Sequence, residues 1–115
     1  MKEIERVSLL FDFYGPLLTD RQQTLLQAYY LEDLSLGEIA GEDGVSRQSV
    51  QNLLKRSVAL LEEYEAKLGF IAEYQRQQAR LADLVRALQS GAVAEALVLT
   101  QALQADEDPP ESGKE

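Results

Sequence analysis

The chain has 115 residues, 20 acids against 11 bases, a formal charge of −9, and neither cysteine nor histidine. That length bounds it to one domain or a domain with an appendage, and a hydrophobic content of 45% is enough for a packed core. The zero counts exclude a disulfide framework, a zinc finger, iron–sulfur ligation, a cysteine nucleophile and any histidine-based triad. Metal binding could draw only on carboxylates and carbonyls, and general acid–base chemistry only on carboxylates, Lys or Tyr. No cofactor, metal site or catalytic residue is assigned, and an enzyme is not expected.

The opening Met1-Lys2-Glu3-Ile4-Glu5 lacks the basic and apolar regions of a signal peptide. No apolar run approaches the ~20 residues that span a bilayer, so the expectation is a cytoplasmic protein without membrane insertion. Only Pro16, Pro109 and Pro110 occur, and the interior is rich in Leu, Ala, Gln, Glu and Arg. These favour helix, no window alternates as a strand would, and the fold class is all-α.

The first helix is expected from Glu3 to Tyr14, stopped by Gly15-Pro16. Ile4, Val7, Leu10, Phe11 and Tyr14 form its apolar stripe; Leu9 and Phe13 fall off it, which asks for a second surface to pack against. Thr19-Asp20-Arg21-Gln22 fits a capping box opening a second helix to about Leu31. Ser35-Leu36-Gly37-Glu38 fits another, opening a short helix through Glu42. Gly44 supplies a turn and Ser46 caps a long fourth helix.

Along that helix Val50, Leu54, Ser57, Leu61, Tyr64, Leu68 and Ile71 step by four and three, with Leu53 alongside. The stripe reads either as a coiled-coil seam or as an amphipathic helix folded back on its own domain. Glu62, Glu63 and Glu65 are placed on its solvent side, beside Lys67. Gly69 weakens the helix by roughly 1 kcal/mol relative to Ala without necessarily breaking it. Periodicity lapses at Gln75-Arg76-Gln77-Gln78, then resumes at Leu81, Leu84, Val85 and Leu88. A last helix follows Ser90-Gly91, from about Ala92 to Leu103. The expected organisation is a helix-turn-helix domain over 1–68, a C-terminal helical extension over 69–104 as a candidate dimerisation arm, and a disordered acidic tail over 105–115.

The informative segment runs from Leu36 to Leu53: a capped helix, a glycine-centred turn and a second helix. Ala40 is small enough for close crossing, Gly44 permits positive φ, and Ile39, Val45, Val50 and Leu53 lock the pair together. The pattern resembles a helix-turn-helix whose second helix reads nucleic acid. Arg47, Gln48, Gln51, Asn52, Lys55 and Arg56 occupy the arc away from the Val50/Leu54/Leu61 stripe. From Ser46 to Arg56 there are three bases and no acids, against seven bases and 12 acids over the whole of 1–68. Arg and Lys suit phosphates or guanine edges, Gln and Asn suit adenine, and the free N–H groups at Ser46 suit a phosphate. Arg21 is a further phosphate candidate.

Leu10-Phe11-Asp12-Phe13-Tyr14, Leu17-Leu18-Thr19, Tyr29-Tyr30, Leu34 to Ala40, Val45 to Val50, Lys55-Arg56 and Leu60 to Leu68 together resemble the YlxM family of helix-turn-helix proteins. That family is similar in this segment to region 4 of sigma factors, and the resemblance covers about the first 75 residues. It implies, through gene neighbourhood, a regulatory role in signal recognition particle targeting, with the particle's GTPase or its RNA as partner. Asp43 departs from the family pattern, which has a bulky apolar residue there. A carboxylate at that position should loosen the first motif helix or sit exposed in the turn.

Two functions compete. One is a regulatory binder of DNA or RNA, acting as a homodimer. The other is an interaction protein that docks on the targeting GTPase, using the helix-turn-helix as a scaffold.

Overall fold

Six α-helices follow one another in the computed structural model, which describes residues 2–107: α1 (Glu3–Tyr14), α2 (Asp20–Leu26), α3 (Leu36–Asp43), α4 (Arg47–Leu68), α5 (Phe70–Gln89) and α6 (Val93–Glu107). No strand occurs among the described residues. The fold class is all-α. Both capping boxes form. The Gln22 N–H donates to Thr19 Oγ1 at 3.1 Å and the Thr19 N–H to Gln22 Oε1 at 3.0 Å. Ser35 and Glu38 make the same reciprocal pair at 3.0 and 2.8 Å. Each box satisfies two N–H groups that a helix start leaves without partners.

The chain divides into two compact units, Met1–Ile71 and Ala72–Glu115. In the first, α4 packs against α1, α2 and α3. Val7, Leu10, Tyr14, Leu26, Val50, Leu61 and Ile71 form the buried centre. Ser57 is also buried, and its hydroxyl donates back to the Leu53 carbonyl at 2.8 Å, so no polar atom is stranded. Val50, Leu54, Ser57 and Leu61 are therefore the inner face of this domain. The alternative of a coiled-coil seam is ruled out for these four positions. Leu9 and Phe13 are half-buried against the same core.

Three local features depart from the sequence expectations. The second helix does not stay α-helical to Leu31: Gln27–Leu31 form one π turn, with the Glu32 N–H reaching the Gln27 carbonyl at 2.8 Å. Its exit needs Asp33 at φ 65°, a left-handed conformation that Asp tolerates better than most side chains.

The long helix ends at Gly69. That glycine takes φ 65° and closes α4 with its N–H on the Glu65 carbonyl. The new helix start at Phe70 is capped from a distance. The Phe70 N–H donates to Tyr14 Oη at 3.1 Å, the Ile71 N–H to Glu65 Oε1 at 3.0 Å, and the Tyr14 hydroxyl to the same Oε1 at 2.5 Å. Burial first, then Glu65, pushes the Tyr14 hydroxyl pKa up, which keeps it a donor. Glu65 is thus half-buried rather than on the solvent side. So is Glu62, which receives Arg6 of α1 through two bonds at 2.7 and 3.1 Å. Glu63 is exposed and pairs with Lys67 as expected.

Finally, α6 runs to Glu107, three residues into the expected tail. The rest of that tail lies outside the described residues. In the second unit, Ser90-Gly91-Ala92 connects α5 to α6, with Gly91 at φ 80°. Among the described residues, its buried side chains are Ala87 and Ala96.

Candidate nucleic-acid interface

Gly44 makes the turn. It takes φ 68°, donates to the Ala40 carbonyl as the C-cap of α3, and a Cβ there would meet nothing within 4 Å. Its role is conformational, since an L side chain in that region costs roughly 1 kcal/mol. Two residues later Ser46 caps α4, accepting from the Ser49 N–H at 3.0 Å. Ile39, Ala40 and Val50 are buried between the helices and Leu53 is half-buried, as helix crossing requires. Val45 is the exception. It remains 39% exposed in the turn, where its backbone N–H bonds the Ala40 carbonyl.

α4 carries Gln48, Asn52, Lys55 and Arg56, exposed, on the side away from Val50, with Arg47, exposed, and Gln51, half-buried, at the edge of that side. At about 100° per residue, Arg47, Gln48, Gln51, Asn52 and Lys55 share one arc. From Arg47 to Lys55 the helix rises about 12 Å, the width of a B-DNA major groove. Gln48 Nε2 donates to Asn52 Oδ1 at 3.0 Å, so the two amides are held together and present a composite edge. Arg47 lies over Gly37 at the start of α3, its Nε 3.8 Å from where a Cβ would stand. Ser46 differs from the others: its hydroxyl serves the cap and also donates to Ser49 Oγ.

Charge sorts the bases sharply. Arg6 faces Glu62, Arg21 faces Asp43, Lys67 faces Glu63, Arg76 faces Glu73 and Arg86 faces Asp83. Among the described residues, Arg47, Lys55 and Arg56 face no carboxylate in any such pair. Lys2 is likewise outside these pairs, but Arg47, Lys55 and Arg56 stand together on one exposed stretch of helix in a chain with 20 acids.

Asp43 sits exposed at the end of α3, with its carboxylate 3.6 Å from Arg21. Together they stand at the mouth of a cleft of about 310 Å³ whose inner walls are Leu25, Ile39, Val50 and Leu53. Arg21 therefore stands beside a carboxylate, unlike the α4 bases.

The family model described as "Putative helix-turn-helix protein, YlxM / p13 like" matches residues 1–99. The chain belongs to this family. The match extends beyond the first 75 residues that carry the motif resemblance, through α5 and into α6. UPF0122 protein STH1464 of Symbiobacterium thermophilum is 56% identical over 106 residues, 92% of this chain and 99% of that protein. UPF0122 protein ABC2295 of Shouchella clausii is 47% identical over 91 residues, 79% of this chain and 84% of its own. A UPF0122 protein of Desulforamulus reducens is 46% identical over 88 residues, covering 76% and 75%. Among the described residues of this family member, no helix is long and apolar enough to cross a membrane.

Proposed function

We propose that this protein is a regulatory nucleic-acid binder whose reader is the N-terminal half of α4. Gln48, Gln51 and Asn52 contact base edges, Arg47 and Lys55 contact bases or phosphates, Arg56 contacts phosphate, and Ser46 fixes the start of the helix. The observation that carries the reading is the set of three unpaired bases beside three amides on one exposed, groove-sized face. The basic footprint is small, so tight binding uses two copies, each presenting one reader. By the family resemblance, the regulated process is signal recognition particle targeting.

The test is fluorescence anisotropy at low salt against duplex DNA and structured RNA. The wild type should bind, and Arg47→Ala with Lys55→Ala should weaken binding more than tenfold at unchanged melting temperature. Absence of binding to any DNA or RNA would remove the reading.

The charge of −9 favours a second reading, in which the same scaffold docks on the targeting GTPase. Association of the purified proteins, insensitive to Arg47→Ala with Lys55→Ala, would select it.

A further inference from the structure

The second unit is short of core. Its buried side chains are Ala87 and Ala96, yet Leu81, Val85 and Leu88 of α5 and Val93 and Leu97 of α6 stand between 42% and 71% exposed. A helix hairpin with so little buried between its arms must cover its apolar surface elsewhere. α6 makes the shortage plain, because Val93, Ala94, Ala96, Leu97, Val98, Leu99, Ala102 and Leu103 surround its axis rather than forming one stripe.

Apart from Val98, 63% exposed on another side of α6, the exposed aliphatics are not scattered. At about 100° per residue, Leu81, Val85 and Leu88 fall in one arc roughly 60° wide, and Val93 and Leu97 in another roughly 40° wide. Each arc lies about 100° round from its helix's buried alanine, in the same rotational sense. Asp83 and Ala87 of α5 line one cavity with Glu95 and Leu99 of α6, so the chain reverses at the three-residue connection and both arcs open on one side of the pair. We propose that this face is where two copies of the chain meet, forming a four-helix contact.

Charge selects a second copy over other partners. Tyr74 falls inside the α5 arc, with Gln77, Gln78 and Gln89 flanking it within about 40°; Gln104 falls inside the α6 arc, with Thr100 and Gln101 flanking it as closely. Glu73, Arg76, Arg80, Asp83 and Arg86 all fall on the rest of α5, and Glu95 on the rest of α6. A partner recognised by its charge would find nothing here to pair with. Two chains of −9 can meet on this face because its aliphatics and their flanking glutamines bring no like charges into opposition. The five aliphatics expose on the order of 450 Å² per copy. With Tyr74 and the flanking glutamines, a pair reaches the ~1,000 Å² that a specific interface needs. The inference deepens the proposed function, since it supplies the two readers, but its test is independent of nucleic acid.

The absence of cysteine makes that test clean. Full-length Val85→Cys, mildly oxidised, should yield a covalent dimer, and Glu32→Cys, exposed on the first unit, should not. In analytical ultracentrifugation the wild type should be dimeric at micromolar concentration and stay so at about 1 M salt, because the contact carries no charge. Leu81→Glu with Leu97→Glu should raise the dissociation constant more than about 100-fold while far-UV helicity is retained. A wild type that is monomeric up to about 100 µM overturns the inference, as does equal cross-linking of both cysteine variants. Dimerisation without nucleic-acid binding would instead count against the reader; binding by a monomer would count against this interface alone.

Discussion

Removing one oxygen atom from Tyr14 should loosen the corner between α4 and α5. The ring is fully buried and stacks on Phe70 with centroids 6.0 Å apart and planes 16° from parallel, so Tyr14→Phe keeps the packing. What disappears is the 2.5 Å bond to the Glu65 carboxylate and the acceptor for the Phe70 N–H. A charge-assisted bond contributes about 1.5–3 kcal/mol, and a part-buried N–H left without a partner adds a penalty of similar order. Glu65 keeps the Ile71 N–H, which offsets some of this. The net loss should be about 2 kcal/mol, or on the order of 10 °C in Tm for a cooperative unit of this size. Thermal unfolding followed by far-UV circular dichroism reads it, and hydrogen exchange should show the Phe70 amide losing protection first. Glu65→Gln, which retains an acceptor, should cost less, and the double variant should be non-additive. A Tm for Tyr14→Phe within about 2 °C of the wild type would refute the reasoning.

Asp43→Leu should stabilise the protein by about 1 kcal/mol, read in chemical denaturation, because an apolar side chain can close the cleft walled by Leu25, Ile39, Val50 and Leu53. The exposed Arg21 pair that it forfeits contributes little. Gly44→Ala should cost about 1 kcal/mol without any steric clash, since only the positive φ resists it, and a Tm equal to the wild type would contradict that. Burial first, then Glu3, pushes the Tyr30 hydroxyl pKa from 10.0 up to about 12. The fold favours the neutral phenol, so that stabilisation is whole below pH 10.0 and is lost as pH rises toward 12. Urea melts across that window should show a smaller loss for Tyr30→Phe.

The parts of the fold that were legible in the sequence are those governed by neighbours in the chain. Thr19/Gln22 and Ser35/Glu38 are three residues apart, and Gly44 acts on the turn it sits in, so helix starts and the motif turn could be read directly. The stripe from Val50 to Leu61 was visible as a stripe, but whether it faced its own domain or a partner depended on where α1 returns. The same return explains Glu62 and Glu65, which look like surface acids until Arg6 and Tyr14 arrive from more than 50 residues away. Gly69 follows the same logic: it could end the helix because Tyr14 and Glu65 capture the next two N–H groups. No periodicity carries the π turn at Gln27–Leu31, which redirects the backbone with one extra residue. At the candidate interface the polar arc of α4 could be read from spacing alone. That its bases face no carboxylate among the described residues, while Arg6, Arg21, Lys67, Arg76 and Arg86 do, required coordinates.

The salt dependence of nucleic-acid binding tests the central claim most directly. Three phosphate-neutralising bases per copy predict a slope of log K against log salt of about −2.7 per copy for duplex DNA. Arg47→Ala with Lys55→Ala should bring that to about −0.9 at unchanged Tm. A slope that the double substitution leaves unaltered would show that the contacts lie elsewhere and would contradict the assignment of α4 as the reader.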